Sequence, residues 1–294
     1  MFEHISKLTI VKQSHQGKVR DIFDLGDTLL IVTTDRISAF DVILPDLLEG
    51  KGIILNQIAT QVFKTTTHIV RNHFLTDAVE DYPAEFKPFE DYLRGRSMLV
   101  QKCRMIPVEC IVRGYISGSA WSEYQRTGTV GGMLISEDLQ ASQKFAKPLF
   151  TPSTKATEGH DENISYREML KYMDRNIAEF LKDKSLELYN YAHSLLLPKG
   201  IVLADTKFEF GTRGNSIILA DEALTPDSSR FWAGEDYVLG QNPTSFDKQV
   251  VRDYLLSTGW NKRPPAPKLP AEIQSKALDR YREIQRLIIG EGKC

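Results

Sequence analysis

Residues 201–222 read IVLADTKFEFGTRGNSIILADE, two apolar, β-branched runs joined by a glycine-bearing link, and no other stretch constrains the fold of this chain as strongly. Val, Ile, Leu and Phe suit a pleated, half-buried surface, and Gly211, Thr212, Arg213, Gly214 and Asn215 between the runs are a hairpin signal. The first run carries Asp205, Lys207 and Glu209, and the second ends in Asp221 and Glu222. Side chains alternate faces along a strand, so Asp205, Lys207 and Glu209 face one way. Charges so placed in an apolar strand are costly unless neutralised, and Mg²⁺ with phosphates is a natural neutraliser because it takes one or two carboxylates plus phosphate oxygens. An antiparallel sheet with a solvated polar face also permits the alternation. If the numbers of facing residues sum to an even value, Lys207 opposes Asp221 and both carboxylates, Glu209 and Asp221, reach one ion; an odd sum turns Asp221 to the other face.

The rest of the chain divides by periodicity. Residues 28–33, 97–103 and 108–112 are short runs of Val, Ile and Leu that read as strands, interrupted by one helix with Leu55, Ile58, Ala59, Val62 and Phe63 on its apolar stripe. Beyond them Ser165 and Glu168 form a capping-box pattern ahead of Met169, Leu170, Met173, Ile177 and Phe180. A second helix is expected over 185–197, stopped at Lys199 and Gly200, another over 245–258, and a last one over 271–289 after the prolines 264, 265, 267 and 270. The expectation is an α+β chain of two lobes, a β-rich lobe over 1–108 and a mixed, helix-rich lobe over 109–294 that carries the hairpin and the C-terminal helices.

Composition removes several function classes. Lys and Arg total 37 against 39 Asp and Glu, a net charge of −2, so bulk attraction to nucleic acid or anionic membrane is not expected. No stretch approaches the ~20 apolar residues of a membrane span, and a cytoplasmic location is expected. Cys103, Cys110 and Cys294 form no CxxC pair and the histidines no HExxH, which argues against a disulfide framework and a zinc hydrolase; Cys103 and Cys110 read as buried thiols.

Two further constellations suit anions. Gly17, Lys18, Val19, Arg20 and Asp21 lead into a strand, where Lys18 and Arg20 on alternate residues would face one side and suit a polyphosphate; a solvated basic strand is the plainer reading. No GxxxxGK[ST] is present, which excludes a P-loop. Arg113 to Trp121 ends a strand and opens a helix, so that free N–H groups, Ser117 or Ser119 as cap, and Arg113 would hold a monophosphate; a plain capped helix with Arg113 in solvent fits equally.

Taken in order, GKVRDIF from Gly17, TDRISAFDVILP from Thr34, PVECIVRGYISGSAW from Pro107, STKATEGHDENIS from Ser153, DTKFEFG from Asp205, DEALTPDSSRFW from Asp221 and SFDKQVVRDYL from Ser245 resemble the SAICAR synthetase family over nearly the whole chain, in its longer form. The resemblance implies a protein-kinase-like or ATP-grasp-like pair of lobes and a ligase of purine biosynthesis. Such an enzyme joins L-aspartate to a carboxylated aminoimidazole ribotide (CAIR), with ATP as co-substrate and Mg²⁺ as cofactor. It implies ATP contacts at Lys18, Val19, Arg20, Lys102 and Met105, ribotide-phosphate contacts at Arg113, Ser119 and Arg230, magnesium at Glu209 and Asp221, and Lys207 beside the reacting carboxylate. Asp35, Arg36, Ser38, Lys155, His160 and Asp161 lie in family motifs and are expected to hold aspartate; an ion pair between Asp35 and Arg36 is the structural alternative. The partners are then small molecules, with no nucleic acid or membrane, in a monomer or small homo-oligomer.

Two rivals stay open. A small-molecule kinase shares the ATP lobe and the magnesium carboxylates, although kinase-type H-R-D and D-F-G sequences are missing. A nucleotide sensor without catalysis has no use for Lys207, Glu209 and Asp221 together.

Overall fold

The computed structural model describes residues 13–136, 138–155, 163–246 and 248–290. Its contacts gather into two compact units: one from residues 13–65, His73–Cys103 and 248–290, the other from Thr66–Asn72 and 104–246. This partition is discontinuous, whereas the sequence reading cuts the chain once after residue 108. The helices beyond Lys248 belong with the first unit.

In the first unit an antiparallel sheet runs β1 (Gln13–Gln16), β2 (Arg20–Asp24), β3 (Thr28–Thr33) and, after the two-stranded ribbon β4 (Arg36–Ala39) and β5 (Val42–Leu47), takes in β6 (Phe74–Thr76) and β7 (Ser97–Gln101), in the order β1-β2-β3-β7-β6. Phe23, Leu30 and Val32 bury one face against Val79, Tyr82, Phe86 and Leu93. The expected helix forms over Lys51–Thr65 and buries Ile54, Leu55, Ile58, Ala59, Val62 and Phe63. Ala271–Ile289 forms as expected, burying Ala277, Tyr281 and Ile284, and packs on the Lys51–Thr65 helix. The proline segment ahead of it is fastened where the Leu269 N–H donates to Asp46 at 2.7 Å. The expected 245–258 helix is shorter, Gln249–Ser257.

The second unit is built on one long strand. After β8 (Arg104–Met105), β9 (Val108–Tyr115), the isolated pair β10 (Thr129–Val130) and β11 (Met133–Leu134), β12 (Lys144–Phe150) and β13 (Ser153–Thr154), the chain enters β14 (Ile201–Arg213), followed by β15 (Ser216–Ala220) and β16 (Ser229–Ala233). β14 pairs antiparallel with β9 and β8 along one edge and with β16 and then β15 along the other. Thirteen residues suffice because each half of the strand serves different neighbours.

One helix, Arg175–Leu196, covers this sheet with Leu181, Leu188, Tyr189, Ala192 and Leu196. The sequence reading splits it at Ser185; the helix continues because Ser185 Oγ donates to the Leu181 carbonyl at 2.6 Å, so its hydroxyl is satisfied without ending the turn. The capping box at Ser165 and Glu168 is present but starts only the turn Tyr166–Met169, and Asp174 caps the long helix anew. Cys110 is fully buried and burial pushes its thiol up, Cys103 is half-buried, and Cys294 lies outside the described residues. No helix among the described residues is long and apolar enough to cross a membrane.

Helix and sheet touch closely at Gly114, where an added Cβ would lie 1.8 Å from the Tyr189 hydroxyl, which itself donates to the Leu203 carbonyl at 2.6 Å. Gly114→Ala is therefore expected to cost about 1–3 kcal/mol in urea unfolding, with part recovered when Tyr189→Phe is added. Unchanged stability in Gly114→Ala would mean that helix and sheet separate freely here.

Candidate active site

The polar face of the second unit follows from strand register. β14 pairs with β9 so that Asp205 faces Arg113 and Lys207 faces Ile111, which puts Glu109 and Arg113 on the same side as Asp205, Lys207 and Glu209. Two clusters result.

The first gathers on Asp205, 6% exposed. Its Oδ2 accepts from Arg230 at 2.5 Å, Ser117 Oγ at 3.2 Å and Arg113 at 3.3 Å. Arg113 donates further to Thr151 Oγ1 at 2.9 Å and, at the 3.5 Å limit, to Ser119 Oγ. Burial favours the neutral acid, yet Arg230 and Arg113 outweigh it and hold the Asp205 carboxyl below the ordinary range. Burial likewise pulls the Arg113 guanidinium down while Asp205 pulls it back; starting so far above neutrality, it stays a cation. The expected phosphate residues Arg113, Ser119 and Arg230 are thus brought together. Ser117 takes the N-cap position of the Gly118–Thr127 helix, but its hydroxyl serves Asp205 rather than the helix. Gly118 is required at the helix start: its φ is +52°, and a Cβ there would lie 2.4 Å from the Arg230 guanidinium. Arg230 arrives on β16 from a turn closed by Thr225 and Ser228, with Thr225 Oγ1 donating to the buried Glu222 at 2.5 Å. A groove of about 740 Å³ adjoins Ser119, lined also by Ser122, Arg126 and Asn163.

The second cluster gathers on Lys207, which donates to Glu109 at 2.8 Å and to Glu209, while Lys155 reaches the other Glu209 oxygen at 2.5 Å. Burial works against the Lys207 charge, but Glu209, Asp221 and Glu109 outweigh it and hold the ammonium above the ordinary lysine range. The hairpin register is not the even one expected: Glu209 faces Ala220 and Arg213 faces Ser216, an odd sum. Only Gly214 and Asn215 form the turn, with Gly214 at φ +56°, so Gly211 and Thr212 are strand rather than loop. The register alone would turn Asp221 away from Lys207. Instead the ladder ends at Ala220, Asp221 adopts a left-handed φ of 58°, and its charge acts on Lys207 all the same. The sequence reading missed Glu109 as a site residue and gave Asp205 no role in the phosphate cluster. Glu109 carried the signal used for the hairpin, a charge in an apolar strand run, in register with Arg113.

In the first unit, Lys18 lies in the turn before β2 rather than on the strand with Arg20, and it pairs with Asp41. Lys102 is paired with Asp24 at 2.6 Å, whereas Met105 belongs to the second unit and lies on β8 opposite Gly211. Asp35 and Arg36 do not pair with each other. Asp35 accepts from the Gly52 N–H at 2.8 Å and Arg96 at 3.1 Å, and Arg36 is forked onto Asp21 at 2.7 and 3.2 Å. Ser38 is half-buried on β4, facing Ile43. His160 and Asp161 lie outside the described residues.

Comparison with known proteins places the chain in a family. The family model described as SAICAR synthetase matches residues 13–267. The chain is 50% identical over 278 residues to the phosphoribosylaminoimidazole-succinocarboxamide synthase of Thermodesulfovibrio yellowstonii, covering 95% of each chain. It is 51% identical over 276 residues to that of Pelobacter propionicus, covering 94% of this chain and 93% of the relative. A solved structure described as SAICAR-synthase from Saccharomyces cerevisiae complexed with SAICAR superposes with a TM-score of 0.88 at 40% identity, covering 97% of both chains. The match runs over almost the full length and agrees with the mixed α+β fold, and the chain belongs to the SAICAR synthetase family.

Proposed function

We propose that this chain is the ATP-dependent ligase of purine biosynthesis that joins CAIR and L-aspartate, releasing ADP and phosphate. The observation that carries the reading is 50% identity across 95% of a phosphoribosylaminoimidazole-succinocarboxamide synthase. The same match disfavours a small-molecule kinase. A kinase-like or ATP-grasp-like pair of lobes, with ATP handled by the first and the ribotide by the second, is supported by the two compact units. A cytoplasmic location is supported by the match to a small-molecule ligase of purine biosynthesis.

An amine does not displace oxide from a bare carboxylate. Transfer of the γ-phosphoryl group of ATP to the ribotide carboxylate makes an acyl phosphate; the aspartate amine then attacks its carbonyl carbon, the C–O bond breaks, and phosphate leaves. The chain's work is positioning and charge neutralisation. Arg113, Ser119 and Arg230 hold the ribotide phosphate, with the groove beside Ser119 open to the rest of the molecule. Lys207, kept protonated by Glu209, Asp221 and Glu109, stands beside the reacting carboxylate and offsets charge as phosphoryl moves. Lys18, Val19, Arg20, Lys102 and Met105 are assigned to the nucleotide. Lys155, His160, Asp161, Asp35 and Ser38 are the aspartate assignment, of which Lys155 is best supported, because an ammonium partnered by Glu209 is available to a substrate carboxylate once that partner turns to a cation.

Glu209 and Asp221 suit Mg²⁺. Glu209 draws two ammonium groups to one carboxylate, so it is a hard oxygen donor in an environment that already accommodates positive charge. Mg²⁺ takes one or two carboxylates and completes its shell with phosphate oxygens, which Glu209 and Asp221 together with ATP would supply. When bound, the ion would neutralise the polyphosphate.

Three outcomes are expected. With oxygen-18 in the ribotide carboxylate, one label should appear in released phosphate, and unlabelled phosphate from productive turnover would rule out the acyl phosphate. Arg230→Ala should weaken ribotide binding by about 2–4 kcal/mol in calorimetry and leave ATP affinity nearly unchanged; the reverse pattern would mean the pockets are exchanged. Glu209→Gln and Asp221→Asn should each lower turnover at least ~100-fold with the far-ultraviolet spectrum retained, and near-normal rates would remove them from the ion site.

A further inference from the structure

The carbonyls of the turn between β1 and β2 are held by Arg36 and Thr34. The Gly17 carbonyl accepts from Arg36 at 3.1 Å, the Lys18 carbonyl from Arg36 Nε at 3.1 Å, and the Val19 carbonyl from both the N–H and the hydroxyl of Thr34 at 2.9 Å. Arg36 is fixed in turn by the fork onto Asp21, which is 1% exposed. In a trans peptide the N–H points opposite to its C=O. Three successive carbonyls drawn toward Arg36 and Thr34 therefore turn the N–H groups of Lys18, Val19 and Arg20 the other way, an arrangement of dipoles that attracts anions.

Arg36 itself has little left to give. Its bonds to Gly17, Lys18 and both Asp21 oxygens use four of the N–H groups of a guanidinium, so no parallel pair remains for a substrate carboxylate. We propose that Arg36, with Thr34, is a positioning residue that presents the 17–20 backbone to the phosphates of ATP, and that it is not a ligand of aspartate. This rests on the assignment of Lys18, Val19 and Arg20 to the nucleotide.

The test compares Arg36→Lys and Thr34→Val with the parent enzyme by MgATP binding, by KM for aspartate, and by amide exchange of residues 17–20. Lysine keeps the charge but cannot span Asp21 and two carbonyls; valine removes one of the two bonds on Val19 and keeps the backbone bond, so it serves even where Arg36→Lys folds poorly. Arg36→Lys should speed exchange in the turn and raise the MgATP Kd about tenfold or more, Thr34→Val should do so about threefold, and KM for aspartate should stay within about twofold in both. A raised aspartate KM with unchanged ATP binding would make Arg36 a substrate ligand and overturn the proposal. Unchanged exchange in the turn would show that Arg36 is no anchor. Faster exchange with unchanged ATP binding would instead locate the failure in the nucleotide assignment, and the proposal would fall with it.

Discussion

The second unit depends on the carboxylate of Asp205. It sits where β9, β14 and β16 meet, and it is the counter-charge for guanidinium groups from both neighbouring strands, Arg113 and Arg230. Without it two cations would face each other in a buried place, at a cost of several kcal/mol, because a buried charge that loses its partner keeps its desolvation penalty. The arrangement also leaves one net positive charge from three ionised groups.

The neighbouring cluster is built with the opposite sign. Glu109, Glu209 and Asp221 outnumber Lys207 and Lys155. Both clusters are centred on one strand of alternating polarity, so the rise of that strand sets the spacing between the arginine–aspartate cluster and the lysine–carboxylate cluster. A single rigid element thereby fixes two kinds of chemistry relative to each other, which loops would do less accurately.

Much of this was legible in the residues. Strands 28–33 and the Ala271–Ile289 helix formed where periodicity put them, and the alternation of Asp205, Lys207 and Glu209 told which side chains share a face. What escaped depended on contacts between distant segments. Arg36 could not be matched to Asp21 rather than Asp35 without knowing that β2 and β4 approach each other. Ser185 looked like a helix start because its bond to Leu181 is invisible in composition. The hairpin register failed for a local reason: five loop-like residues were present and the turn used only two.

That two-residue turn sets how the chain tolerates changes in length. A residue inserted at Gly214–Asn215 must be absorbed by slipping β15 against β14, by a bulge, or by a looser turn, and a slip would invert every side chain of β15 and displace the left-handed residue Asp221 that follows the ladder. The exposed segment before Leu269 faces no such demand, since it is held at separate points, by the Leu269 N–H on Asp46, the Tyr254 hydroxyl on the Lys268 carbonyl and the Trp260 ring N–H on the Arg263 and Pro265 carbonyls, and no ladder counts its residues. Extra length can accumulate there, whereas the hairpin tip is metrically closed.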